Sequence, residues 1–290
     1  MAGPPGFEPE SQAPQAERLG TILEDFKQIC RVDLRLKDGT INNHLTYIRR
    51  YLEFCKKQAM EVDSSQSVRE FLLNIRDGNQ NTYANNVKAL RVFFREYLQS
   101  DTAKRFKIPR ANQQYAQVPS KEELGRFYNA LPDWRTKALF LFYVSSGRRR
   151  NEILDLDLTD VDFERRMLTP IGKESQTKHT WFSFFNEEAL EAYRRYGKEE
   201  GTPASGKLFE GASHLNKVFK ETSGRTGIKI TPQVLRKWFC SDLLSKGIQE
   251  VYVDAYCGRV PKSVLARHYT DFSPERLKEI YDRAGLKVLS

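Results

Sequence analysis

In the segment 40–57, Ile41, Leu45, Ile48, Leu52 and Cys55 recur at steps of four, three, four and three, which draws one apolar stripe along an α-helix. Arg49, Arg50, Lys56 and Lys57 fall on the opposite side. Thr40, after Gly39, is the predicted N-cap, because its hydroxyl can accept from the free N–H groups of a first turn. A second helix is predicted over 81–99, with Tyr83, Val87, Leu90, Phe94 and Tyr97 on one side and Lys88, Arg91 and Arg95 elsewhere. Shorter helices near 17–30 and 66–75 complete a small all-helical domain spanning 17–100. Residues 1–16 are rich in Pro, Gly and Gln and carry no periodicity, as expected of a mobile tail.

The helical pattern breaks over 101–117, where Pro109 and a polar, basic composition predict a linker. Its Lys104, Arg105, Lys107 and Arg110 could follow a phosphate backbone. A second domain, 118–290, opens on the capping-box signature Ser120-Lys-Glu-Glu123. A buried helix follows, Ala138 to Val144, closed by Ser146-Gly147. Residues 166–171 and 178–185 read as two strands around the polar turn GKESQT. The remainder reads as helix, with a Gly/Pro break near 201–206 and a final helix after Pro274 that places Leu277, Ile280 and Tyr281 on one face. The predicted class is mainly α with a small β-sheet.

Composition narrows the function. The 290 residues suit roughly two domains of about 150 each. With 39% hydrophobic and 12% aromatic residues, packed cores are feasible and wholesale disorder is excluded. Lys and Arg number 47 against 38 Asp and Glu, a net charge of +9 that favours a polyanionic partner. No run approaches the roughly 18 apolar residues of a membrane span, and the N-terminus lacks a signal-peptide core. Cys30, Cys55, Cys240 and Cys257 are scattered without a CxxC, and no histidines cluster beside them. A zinc ribbon or disulfide framework is therefore not expected, and the thiols read as reduced and intracellular.

Four segments are costly for a purely structural protein. Three arginines crowd a helix start in Ser146-Gly147-Arg148-Arg149-Arg150-Asn151-Glu152-Ile153, against the macrodipole unless an anion sits there; the plain alternative is a solvated basic cap. In Thr231-Pro232-Gln233-Val234-Leu235-Arg236-Lys237-Trp238-Phe239, Arg236 lies in an apolar helix, so its guanidinium should enter a cleft or meet an Asp or Glu. Cys257-Gly258-Arg259 sets an arginine at a turn. In Val264-Leu265-Ala266-Arg267-His268-Tyr269, the tyrosine would ordinarily be core filler.

In order and spacing these segments resemble the tyrosine recombinase (phage integrase) family. The family's first box, small residue-Gly-x-Arg-x-x-Glu-Leu, matches Ser146 to Ile153, which makes Arg149 the first catalytic arginine and Glu152 its supporting carboxylate. His/Lys-x-x-Arg matches Gln233 to Arg236. Gly-His/Arg matches Gly258-Arg259, 23 residues beyond Arg236, and the nucleophile matches Tyr269, ten further on. Gln233 departs from the pattern, since an amide donates a hydrogen bond but carries no charge. Two lysines are candidates for the catalytic lysine of the family's hairpin: Lys173 in the turn, and Lys178 before the aromatic strand, which is favoured. The wording LRKWF and GRVPKSVLARHYTD is most similar to archaeal virus and plasmid integrases of the fusellovirus type.

The resemblance implies a helical core-binding domain and an α/β catalytic domain forming a C-clamp on double-stranded DNA. It also implies a homotetramer on two DNA sites, in the host cytoplasm at the nucleoid. Neither a cofactor nor a metal is implied. Arg149, Arg236 and Arg259 would grip the phosphate, Tyr269 would attack it to leave a 3′-phosphotyrosyl link, and a hairpin lysine would protonate the departing 5′-oxygen. Rival readings are a type IB topoisomerase-like nicking-closing enzyme and a non-catalytic DNA-binding descendant of an integrase, the latter supported by Gln233. A metal-dependent nuclease fits least. Finally, Gly6-Phe7-Glu8-Pro9 can be back-translated as GGG TTC GAA CCC, the pattern of a tRNA gene's T arm. The resemblance to fusellovirus-type integrases then implies an attachment site inside the coding sequence and a tRNA-gene target, the plain alternative being an ordinary disordered tail.

Overall fold

The computed structural model describes residues 15–109, 118–169, 182–201, 203, 205–210, 214–259 and 263–289. Two compact units divide the chain, Met1–Gln114 and Tyr115–Ser290.

Helices Gln15–Val32 (α1), Asp38–Lys57 (α2), Ser65–Asn74 (α3) and Gln80–Val92 (α4) build the first unit. Ile41, Ile48, Leu52 and Cys55 of the predicted stripe are buried and Leu45 is half-buried, while Arg49, Arg50, Lys56 and Lys57 are exposed. The N-cap falls three residues earlier than predicted, at Lys37, which offers no side-chain cap; the helix starts at Asp38 and Thr40 sits inside its first turn. Asp38 explains the shift: a carboxylate suits the positive end of a helix, and Arg31 holds it at 2.9 Å. Ser64 and Asn79 cap α3 and α4 by accepting from two backbone N–H groups each.

The helix predicted over 81–99 is α4 followed by a π-helical turn, Phe93–Tyr97, which keeps Phe93 and Phe94 in the core. Arg91 is not a free basic side chain; it donates to the carbonyls of Lys104 and Phe106, at 3.0 and 2.6 Å. Those residues belong to a 3-10 turn, Thr102–Arg105, and its exit, with Ala103 buried and Phe106 and Ile108 packed on the same core. The first residues of the predicted linker are therefore part of the first unit. Lys104, Arg105 and Lys107 stay exposed. Arg110 lies outside the described residues, as does the predicted tail up to Pro14.

Lys121–Asn129 (α5) opens the second unit with the expected capping box: Ser120 Oγ accepts from Glu123 N–H at 3.2 Å, and Glu123 accepts from Ser120 N–H at 2.8 Å. Trp134–Ser146 (α6) is buried along nearly its whole length from Thr136. Such a helix needs cover on all sides, and Glu187–Glu200 (α8) and Pro232–Ser245 (α10) supply most of it, with Leu215–Thr226 (α9) between those two along the chain. Three short antiparallel strands, Val161–Asp162 (β1), Met167–Leu168 (β2) and Ser183–Phe184 (β3), lie in the order β1-β2-β3, with Val161 opposite Leu168 and Leu168 opposite Ser183. The sequence pattern did not foresee β1.

Pro274–Ala284 (α13) is the predicted final helix. Its Leu277, Ile280 and Tyr281 are buried in the core of their own unit, so this face is spent within the chain. The segment after it is held too: Leu286 and Val288 are buried, and Glu188 accepts from the N–H groups of Val288 and Leu289 at 2.8 and 2.9 Å.

Candidate active site

Ser146 ends α6 and Gly147 turns the chain out of it with φ +66°, a left-handed conformation that favours glycine. A Cβ here would also run into the Phe239 ring of α10. The chain then enters Arg150–Leu154 (α7), with Arg149 at the N-cap.

The three arginines of this turn have three different fates. Arg148 is 1% exposed, and its guanidinium spans the sheet: Nε donates to Ser183 Oγ at 2.6 Å, and Nη2 donates to the carbonyls of Leu168 and Thr169 at 2.9 and 3.0 Å. Burial pulls this guanidinium down to about 10, which leaves it charged at neutral pH. Arg149 is half-buried and gripped by Glu152. Its backbone N–H donates to Glu152 Oε2 at 2.8 Å, and its Nη1 donates to Glu152 Oε1 at 2.6 Å. Nη2 of Arg149 reaches the carbonyl of Gly258 at 3.3 Å. Arg150 is partly exposed and lends its carbonyl to the Tyr143 hydroxyl at 3.0 Å. A solvated basic cap is thereby excluded.

Thr231 caps α10, accepting from Val234 N–H at 3.2 Å, and Pro232 occupies the first helical position. Gln233 in the same first turn is exposed. Arg236, one turn on, is 4% exposed and meets no carboxylate among the described residues: Nη1 donates to the Gly147 carbonyl at 2.6 Å and Nη2 to the Cys257 carbonyl at 2.5 Å. Burial lowers its affinity for the proton, and neighbouring Arg149 acts in the same direction.

One turn therefore serves both arginines. It follows Glu250–Tyr256 (α11), and its Gly258 is left-handed at φ +57°. Cys257 and Gly258 present consecutive carbonyls to Arg236 and Arg149, and the next residue is Arg259. Arg259 is exposed and paired with Asp254 at 2.6 Å. The structure thus brings Arg149, Arg236 and Arg259 to one turn, with Glu152 beside them.

Tyr269 closes the short helix Val264–His268 (α12), its N–H donating to the Leu265 carbonyl at 2.9 Å. It is 79% exposed, so it is not core filler. Lys173 and Lys178 both lie outside the described residues.

Two features escaped sequence reasoning. Arg148 braces the sheet, but its acceptors stand 20 to 35 residues away, so no local pattern announces them. Cys240 and Cys257 stand sulfur to sulfur at 3.4 Å. Their nearness to the arginine boxes was the available signal, since Cys240 lies one helical turn after Arg236 and Cys257 directly precedes Gly258. Among the described residues no group of three or more His, Cys, Asp or Glu could hold a metal, and no helix is long and apolar enough to cross a membrane.

Comparison with known proteins places both units. The model of the phage integrase family matches residues 118–276, and that of the phage integrase N-terminal SAM-like domain matches 22–104. Tyrosine recombinase XerA of Thermococcus onnurineus is 25% identical over 290 residues, covering 93% of this chain and 97% of its own. XerA of Pyrococcus furiosus is 24% identical over 279 residues, covering 91% and 94%. Among solved structures, a lambda integrase tetramer bound to a Holliday junction aligns with a TM-score of 0.64 at 14% identity, over 89% of this chain and 84% of that one. The Tn1549 transposon integrase in complex with transposon right end DNA aligns at 0.61 and 15% identity, over 91% and 99%.

Proposed function

The chain belongs to the phage integrase family and is a site-specific tyrosine recombinase, and from that premise we propose that Tyr269 cuts and rejoins DNA strands through a 3′-phosphotyrosyl intermediate. The observation that carries this reading is the convergence of Arg149, Arg236 and Arg259 on the turn at Cys257–Gly258, with a tyrosine 79% exposed ten residues further on.

Each part has a chemical task. The Tyr269 oxygen attacks phosphorus in line, the tyrosyl O–P bond forms, and the bond to the 5′-oxygen breaks. Guanidinium groups of Arg149 and Arg236, fixed before the substrate arrives, stabilise charge on the non-bridging oxygens. Arg259 adds a contact by exchanging Asp254 for phosphate, and exposed Gln233 donates a neutral hydrogen bond. Lys178 protonates the leaving 5′-oxygen, with Lys173 as the alternative. Bond energy is kept in the protein–DNA ester, so rejoining consumes no nucleotide.

In this reading duplex DNA is gripped by both units, and a homotetramer acts on two DNA sites in the host cytoplasm. The exposed Arg49, Arg50, Lys56 and Lys57 of α2 support it, as such a basic face suits a phosphate backbone. The chain is of the fusellovirus type, acting for a viral or plasmid genome at a host tRNA gene whose sequence residues 6–9 echo. The nucleotide sequence tests that target: codons 6–9 and their flanks must match the 3′ half of a tRNA gene.

A suicide DNA substrate tests the chemistry. In EDTA the native chain should leave a covalent protein–DNA adduct on a denaturing gel, and Tyr269→Phe should bind DNA equally yet leave none. An adduct with Tyr269→Phe would overturn the assignment. Lys178→Ala should be rescued by a 5′-thio leaving group, which needs little protonation; rescue of Lys173→Ala instead would move the general acid to Lys173.

A further inference from the structure

Cys240 and Cys257 are not scattered in space. Their sulfurs are 3.4 Å apart, Cys240 on α10 and Cys257 at the end of α11. Cys257 is fully buried and Cys240 half-buried, so one member of the pair can be reached from solvent. The sulfur–sulfur contact, with Arg259 and Arg236 nearby, pulls the Cys240 thiol down, while the same contact and burial push Cys257 up. Once a small disulfide is supplied, an accessible sulfur can attack it, and a second sulfur in contact can resolve the mixed disulfide. The remaining cysteines contrast with this pair: Cys30 and Cys55 are buried in the other unit, and burial pushes Cys30 up to about 11.

The position of the pair matters more than its reactivity. Cys257 supplies the carbonyl held by Arg236 at 2.5 Å, and its neighbour Gly258 supplies the one held by Arg149 at 3.3 Å. Cys240 rides on the same helix as Arg236, one turn later.

We propose that Cys240 and Cys257 form a reversible disulfide site, closed by low-molecular-weight disulfides, whose closure switches off strand cleavage. The effect on cleavage rests on the recombinase reading above; the disulfide itself does not. Cys240 thiolate attacks one sulfur of the small disulfide, forming a mixed disulfide and releasing one small thiolate. Cys257 then gives its proton to solvent, and its sulfur displaces the second small thiolate. Two cysteine thiols are oxidised and one small disulfide is reduced to two thiols. Closure draws the sulfurs from 3.4 Å to about 2.05 Å, and the Cys257–Gly258 turn moves with them off the two guanidinium groups.

The experiment treats the full chain with oxidised glutathione or with dithiothreitol. One arm maps disulfide peptides by mass spectrometry; the other measures adduct yield on the suicide substrate. A peptide joining Cys240 to Cys257 should appear on oxidation and vanish on reduction. Adduct formation should fall about a hundredfold on oxidation, the scale of an ångström's misplacement at a reacting centre, and return with dithiothreitol. Cys240→Ala and Cys240→Ser should cleave like the reduced native chain and ignore the oxidant. Absence of the joined peptide overturns the site, whatever the DNA chemistry does. Full cleavage by the oxidised native chain, or loss of cleavage in oxidised Cys240→Ala, overturns the switch. No adduct from the fully reduced native chain would instead overturn the recombinase reading.

Discussion

Arg236 keeps 4% of its surface and commits both ends of its guanidinium to backbone carbonyls, whereas Tyr269 exposes 79% of its own at the end of a five-residue helix. A helix that short does not hold itself together in water. Val264 and Leu265, on the same helix, are 69% and 71% exposed, so packing within the chain hardly restrains it. The contrast separates two demands of phosphoryl transfer. Charge that must stabilise a transition state works best when fixed in advance, because it then costs no reorganisation. On the proposed reading Tyr269 is the nucleophile, which only has to arrive, so its element can be left for DNA or a neighbouring protomer to place.

Breaking the fixed side should produce the largest effects. Arg236→Lys should cut single-turnover cleavage roughly 10²–10³-fold, because one ammonium cannot reproduce a fork spanning the Gly147 and Cys257 carbonyls. A loss below about fivefold in rapid-quench kinetics would mean that charge alone suffices. Arg148→Met should cost about 3 kcal/mol in denaturant titration, since Ser183, Leu168 and Thr169 lose a buried donor. Gly147→Ala should cost about 2 kcal/mol by the same measurement, from the left-handed backbone and the Phe239 ring. On the loose side, Leu265→Ser should shift stability by no more than about 0.5 kcal/mol. A larger drop would show that α12 is anchored, and the contrast would fail.

What the sequence made legible follows the same division. Local signals were read well where a few neighbouring residues decide the outcome: the Ser120–Glu123 box, the α2 stripe and the break after Ser146. Thr40 misled because Asp38 was a better start for the helix, and its partner Arg31 lies seven residues upstream in another helix. Strand β1 has two residues, too few for any alternation to show. Within the site, the resemblance to the family's boxes singled out Arg149, Arg236, Arg259 and Tyr269, but what holds the arginines was hidden. Arg236 was expected to meet a carboxylate or open into a cleft, and it meets two carbonyls, one 89 residues earlier in the chain. Backbone acceptors leave no mark on side-chain composition, so no pattern of residue types can announce them.

The turn shared by Arg149 and Arg236 also bears on how such a chain decays over generations. Most machinery loses function by degrees, each substitution subtracting its own share. Here one left-handed glycine, Gly258, stands between two carbonyls that serve two arginines, so a single unlucky change disturbs both grips together. On the proposed reading, losing the backbone shape of Gly258 would remove both supports in one step, where two separate turns would have to fail in two.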